Sequence, residues 1–154
     1  MIDIEVEDQA WTAALADAEN LARRAAEAAL AGSPSNSGGD IVVLLANDET
    51  LRGLNARFLG KDKPTNVLSF PAGEGMSGHL GDIALAFGVC AAEAKEQGKP
   101  LAHHLSHLVC HGVLHLLGYD HEDGADAEVM EDLERGVLTG LGIPDPYQTD
   151  DAPD

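Results

Sequence analysis

The chain has 154 residues, 44% of them hydrophobic but only 4% aromatic, which suits one domain with a largely aliphatic core. Its 27 acidic residues against 9 lysines and arginines give a net charge of −18, which excludes indiscriminate binding to nucleic acid, because polyanions repel one another and phosphate contacts need cations. No run of about 18 uncharged apolar residues occurs, so no membrane-spanning helix is expected. The start, MIDIEVED, carries acids where an export signal needs a basic and then apolar stretch, which predicts a cytoplasmic protein.

Residues Ile2 to Val6 alternate apolar and acidic side chains, the pattern of a strand with one buried face. A long helix is expected from Gln9 to Ala31, with Trp11, Ala14, Leu15, Ala18, Leu21, Ala22, Ala25 and Ala29 at helical spacing. Residues 32–40, GSPSNSGGD, read as a loop. The apolar run Ile41 to Ala46 suits a buried strand. Asn47 or Asp48 can cap the next helix, which runs to about Phe58.

Residues 60–64 form a turn, and Asn66 to Phe70 a strand stopped by Pro71. A glycine-rich loop from Ala72 to Gly81 leads into a fourth strand, Asp82 to Ala86. A helix from Gly88 to Gln97 should stop at Gly98. Pro100 belongs in the first turn of another, ending near Leu117 and Gly118. The last helix begins near Asp123 and carries Val129, Leu133 and Val137 on one face. Residues 149–154 read as a loose acidic tail on a single domain, 1–148. The expected fold is mixed α/β: one four-stranded sheet packed with about five helices. Cys90 and Cys110 lie in apolar helical contexts and read as small buried hydrophobes rather than a disulfide.

The stretch HGVLHLLGYDH, residues 111–121, carries the chemistry. His111 and His115 stand four apart on one helix, so their rings project from one face roughly 6 Å apart. Gly118 can take a positive φ, turning the chain so that His121 returns to the same point. Three imidazoles without a thiolate leave a fourth zinc position for water, the arrangement of catalytic sites. Two readings stand for His107, one turn earlier: a hydrogen-bonding support or substrate contact, or a helix-surface residue. Asp120 either orients an imidazole or accepts a proton, or else stabilises the turn. His79, His103 and His104 are expected to be solvated. Arg52, Arg57, Lys61 and Lys63 concentrate four cations in twelve residues, either to hold phosphates or as a solvated helix end and turn.

The spacing HxxxHxxGxxH matches the ligand pattern of metzincin proteases, but those need Glu directly after the first His, where this chain has Gly112. Taken with KDKPTNVLSFP at 61–71, LGDIAL at 80–85 and DPY at 145–147, the His stretch resembles the bacterial YbeY family over nearly the whole chain. The resemblance implies a zincin-like metallohydrolase fold with one Zn²⁺ on His111, His115 and His121. It implies a single-strand-specific endoribonuclease acting in 16S rRNA 3′-end maturation and ribosome quality control. Precursor rRNA, ribosomal small-subunit proteins and the GTPase Era are the implied partners. One departure stands out: the family commonly has an arginine shortly before the KDKPT turn, where this chain has Leu59. Arg57 substitutes only if the helix end is irregular, since two helical residues turn a side chain by about 200°. The rival class is a ribosome-assembly factor that works by binding, its zinc structural and its acidic surface meeting basic ribosomal proteins. A peptidase is disfavoured by Gly112.

Overall fold

The computed structural model of the chain describes residues 2–33, 39–72, 78–119 and 124–146. The tail at 149–154 therefore lies outside the described residues, as do Asp120 and His121. Four strands, β1 (Ile2–Val6), β2 (Asp40–Ala46), β3 (Val67–Pro71) and β4 (His79–Ala86), form one sheet in the order β1-β2-β4-β3. β1, β2 and β4 run parallel, with Ile4 opposite Val43 and Val43 opposite Ile83. β3 runs antiparallel on the edge, with Ser69 opposite Ile83.

Six helices are described: α1 (Ala10–Ala14), α2 (Ala18–Gly32), α3 (Asp48–Leu59), α4 (Phe87–Glu96), α5 (Leu101–Leu116) and α6 (Gly124–Gly140). The helix expected over 9–31 is thus two. Trp11 is fully buried and donates its indole N–H to the Ala46 carbonyl at 2.9 Å, pinning α1 over the end of β2. Leu15 then turns extended, at φ −133° and ψ 101°, and α2 starts afresh along the sheet. Its buried residues Ala18, Ala22, Ala25, Ala26 and Ala29 are all small, which lets α2 and α5 approach closely.

α2 and α5 share one core with one face of the sheet: Ile41, Val43, Leu45, Ile83 and Leu85 meet Leu105, Val109, Val113 and Leu114. α3 covers part of the opposite face, over Ala46, Leu68, Ala84 and Ala86. Asn47 caps α3 as expected, its Oδ1 accepting from the Thr50 N–H at 2.8 Å. β4 begins three residues before the expected position, so His79 belongs to the sheet. Pro100 is the N-cap of α5 rather than a residue of its first turn.

The buried face of α6 is shifted from the expected one. Met130, Glu134, Val137 and Leu138 are buried, whereas Val129 is 50% exposed. Glu134 occupies the middle of that stripe, so a stripe traced through Val and Leu alone misses it. Cys90 and Cys110 are buried and unpaired by disulfide, as expected. Burial pushes both thiols up, Cys110 to about 12, which removes thiolate chemistry at neutral pH. Among the described residues no helix is long and apolar enough to cross a membrane.

Candidate metal centre

α5 carries a row of imidazoles along one side: His104, His107, His111 and His115, with successive ring centroids 6.5, 6.3 and 4.6 Å apart. The 3.6-residue period of the helix brings these three- and four-residue steps onto one face. The closest pair is the one the sequence singled out. His111 Nε2 and His115 Nε2 lie 3.1 Å apart.

Glu134 explains the orientation of His111. Its carboxylate is fully buried, and Oε1 lies 2.6 Å from His111 Nδ1. Nδ1 must therefore carry the proton, which leaves the Nε2 lone pair of His111 aimed at His115. Two nitrogens bound to a tetrahedral zinc at about 2.0–2.1 Å sit roughly 3.3 Å apart, close to the observed spacing. A carboxylate on the far nitrogen of a metal-ligating histidine is the usual support of such sites. The residues present thus fit a zinc ion. Among the described residues no third donor completes a cluster, and His121, the expected third ligand, lies outside them.

Glu134 was missed by sequence reasoning, although an acid flanked at helical spacing by Met130 and Leu138 was a usable signal. His107 is not a surface residue. It is 14% exposed in its side chain and holds Nε2 at 3.5 Å from Glu134 Oε2, so the same carboxylate faces two rings. His104 corrects the expectation of solvation: it is 3% exposed, with Nε2 2.8 Å from Glu93 Oε1. His79 is partly covered and pairs with Asp82 at 3.2 Å. His103 is partly exposed in a cavity wall.

The end of α5 forms as the sequence requires. Gly118 adopts φ +103°, and the Tyr119 N–H closes back onto the Leu114 carbonyl at 3.1 Å. Tyr119 Oη then meets Ser33 Oγ at 3.2 Å, tying the exit of the helix to the end of α2. Gly112 marks the closest approach of α5 to the sheet. A Cβ there would stand 3.0 Å from Ile83 Cδ1 and 3.1 Å from Ser69 Oγ. At the position that a metzincin fills with its catalytic glutamate, any side chain would press on Ile83 and Ser69.

The four cations of the 52–63 segment separate. Arg52 is held by Asp62, with Nε donating at 2.8 Å, and Arg57 lies over the Phe58 ring at 5.1 Å. Lys61 and Lys63 line a cavity of about 430 Å³ with Leu59, Asn66 and Glu93. α3 is regular through Leu59 and stops at Gly60, at φ +71°. Arg57 is therefore not rotated into the place of Leu59, which is 55% exposed. Asn66 Nδ2 donates to Glu93 Oε1 at 3.0 Å, the oxygen that also meets His104, so the start of β3 is tied to α5 through α4.

Known proteins resemble the chain over nearly its whole length. A family model described as Endoribonuclease YbeY matches residues 3–142. An Endoribonuclease YbeY from Rhodopseudomonas palustris is 49% identical over 156 residues, spanning 97% of this chain and 82% of that protein. One from Maricaulis maris is 49% identical over 150 residues, spanning 97% and 93%. The solution structure of TM1509 from Thermotoga maritima aligns with a TM-score of 0.58 at 26% identity, covering 96% of this chain and 99% of that one.

Proposed function

The chain belongs to the YbeY endoribonuclease family, and from that membership we propose that it is a zinc-dependent, single-strand-specific endoribonuclease. Its proposed work is 16S rRNA 3′-end maturation and ribosome quality control in the cytoplasm. The observation that carries the reading is the 3.1 Å convergence of His111 Nε2 and His115 Nε2, braced by Glu134. One Zn²⁺ per chain is held by His111, His115 and His121 in this reading. When bound, it supplies Lewis acidity toward a phosphoryl oxygen.

The side chains have separate tasks. Glu134 keeps the His111 proton on Nδ1 and so keeps Nε2 available. Lys61 and Lys63 hold RNA phosphates in the cavity that Leu59 shares. Because Leu59 brings no charge and Arg52 is engaged by Asp62, neutralisation of the phosphates falls on the two lysines. His107 positions Glu134 rather than accepting a substrate proton. Asp120 is the remaining candidate for that acceptor.

The test pairs metal analysis of the purified protein with cleavage of a precursor rRNA, with and without chelator, and with His115→Ala. One equivalent of zinc, and cleavage lost on chelation and in the variant, is the expected result. Cleavage that survives both treatments sinks the reading. A 2′,3′-cyclic phosphate end marks attack by the RNA 2′-hydroxyl, and a non-cyclic end marks attack by water.

The open face of the sheet favours a second reading, in which the chain works as an assembly factor by binding. Val42, Leu44, Phe58 and Phe70 floor a cavity of about 640 Å³ with Glu5 and Asp82 at its edge. An apolar floor with an acidic rim suits a basic protein partner, such as a ribosomal small-subunit protein, and the GTPase Era is a further candidate. His115→Ala that keeps ribosome association but loses cleavage supports the enzyme. Unchanged rRNA maturation in cells carrying that variant supports the binding factor. The tight packing at Gly112 argues against a peptidase, and casein digestion checks this.

A further inference from the structure

A cavity of about 560 Å³ opens where the turn between α4 and α5 meets the chain that follows α6. Lys99, His103 and His107 line one side of it, and Ile143, Pro144 and Pro146 another. The volume is in the range of small-ligand sites. In a chain of net charge −18, Lys99 gives this wall a positive charge. The carboxylate in the lining, Asp145, is engaged by Arg135, whose Nε donates at 3.1 Å.

Lys99 makes no ion pair within 4.0 Å among the described residues. The carboxylate that acts on it from further away, Glu93, already accepts from Asn66 and faces His104. Burial draws the Lys99 ammonium below the ordinary lysine range, the response of a cation short of counter-charge. α5 begins beside it with no acid in its first turn and no side-chain cap, which adds positive potential.

We propose that this cavity is a phosphate subsite for RNA, with Lys99 and His103 gripping the phosphate and Ile143 and the prolines receiving the sugar and base. The ligand assignment rests on the ribonuclease reading; the cavity with its Lys99 charge does not. The subsite adjoins the imidazole pair through His107, which lines the cavity and stands 3.5 Å from Glu134 Oε2.

The test uses the full-length protein as purified, with Lys99→Gln, His103→Gln and, as a comparison in the other cavity, Lys61→Gln. Binding of a fluorescent 2′-O-methyl RNA decamer is followed by anisotropy over a range of salt, with the strand's integrity checked on a gel. Inorganic phosphate is titrated separately and followed by NMR of the His103 ring. Each substitution in the subsite should weaken RNA binding by roughly three- to tenfold, and Lys99→Gln should also lower the salt slope by about 0.7, the value for one single-strand phosphate. A preference for 5′-phosphorylated over 5′-hydroxyl decamer that Lys99→Gln abolishes assigns a terminal phosphate. Equal losses for both decamers assign a backbone phosphodiester, and either result supports the subsite. If no RNA binds but phosphate moves the His103 ring in the wild type and not in Lys99→Gln, the subsite stands and the ribonuclease reading falls. Wild-type affinity and slope in both subsite variants, with the His103 ring unmoved by phosphate, overturns the inference.

Discussion

Replacing Glu134 by Gln separates the metal centre from the core that surrounds it. The amide keeps the shape of the carboxylate, and its carbonyl still accepts from His111 Nδ1, now 2.6 Å away. What disappears is a fully buried negative charge facing two imidazoles, His111 and His107. Losing such a support typically lowers metal affinity by about 10- to 100-fold, or roughly 1.4–2.7 kcal/mol. Removing a buried charge has the opposite tendency on the metal-free protein, which should be as stable as the wild type or more stable by about 1–2 kcal/mol. At this chain length that is a rise in Tm of about 2–8 °C. Competition with a chromophoric chelator reads the affinity, and calorimetry of the metal-free protein reads the stability. Zinc affinity within twofold of wild type would refute the role given to Glu134. A metal-free variant destabilised by several kcal/mol would show instead that the carboxylate is a structural strut.

Other perturbations test the fold around the site. Trp11→Phe removes the indole N–H from the buried Ala46 carbonyl and should cost about 1–3 kcal/mol in urea unfolding followed by circular dichroism; a loss below 0.5 kcal/mol, about the lower limit for one hydrogen bond, contradicts the pinning of α1. Gly112→Glu, which restores the metzincin residue, should unfold or precipitate the chain, because overpacking against Ile83 and Ser69 adds to the burial of a carboxylate, together more than about 3 kcal/mol. A soluble, folded Gly112→Glu protein that digests casein would overturn both the packing account and the exclusion of a peptidase.

His104 gives a pH dependence. Burial draws its pKa below the ordinary 6.5, against the opposing hydrogen bond that Nε2 donates to Glu93. The unfolded chain thus binds a proton that the folded chain resists, so this contribution to stability is complete above 6.5 and is lost as pH falls below it. His104→Gln, which still donates to Glu93, should be less acid-sensitive than wild type when unfolding in urea is compared at pH 5 and pH 7. Parallel losses in the two proteins would remove His104 from the account.

Patterns that repeat along one element are legible in the sequence alone. The alternation at Ile2 to Val6, the apolar run at Ile41 to Ala46 and the cap at Asn47 each form the element they announce. The convergence of His111 and His115 is legible for the same reason, since two side chains on one helix need only helical spacing to meet. What stays hidden depends on contacts across the chain. The break at Leu15 follows from a hydrogen bond between Trp11 and Ala46, 35 residues apart. Glu134 reaches His111 across 23 residues and disguises its own helix face, because an acid in a buried stripe looks like the end of the stripe. His104 reads as solvated from its place near a helix start, yet α4 lies alongside and supplies Glu93. Arg57 and Leu59 show the same limit: α3 stays regular to its last residue, so no irregularity exchanges their positions.

α5 holds both the middle of the hydrophobic core and the two convergent imidazoles. In the proposed zinc reading, an ion arriving at His111 would meet side chains already fixed by aliphatic packing and by Glu134, unlike a zinc finger, whose chain collapses only around its metal. If the proposed zinc dependence holds, scarcity of metal would leave such a molecule intact but idle, and restored supply would return it to service without new synthesis.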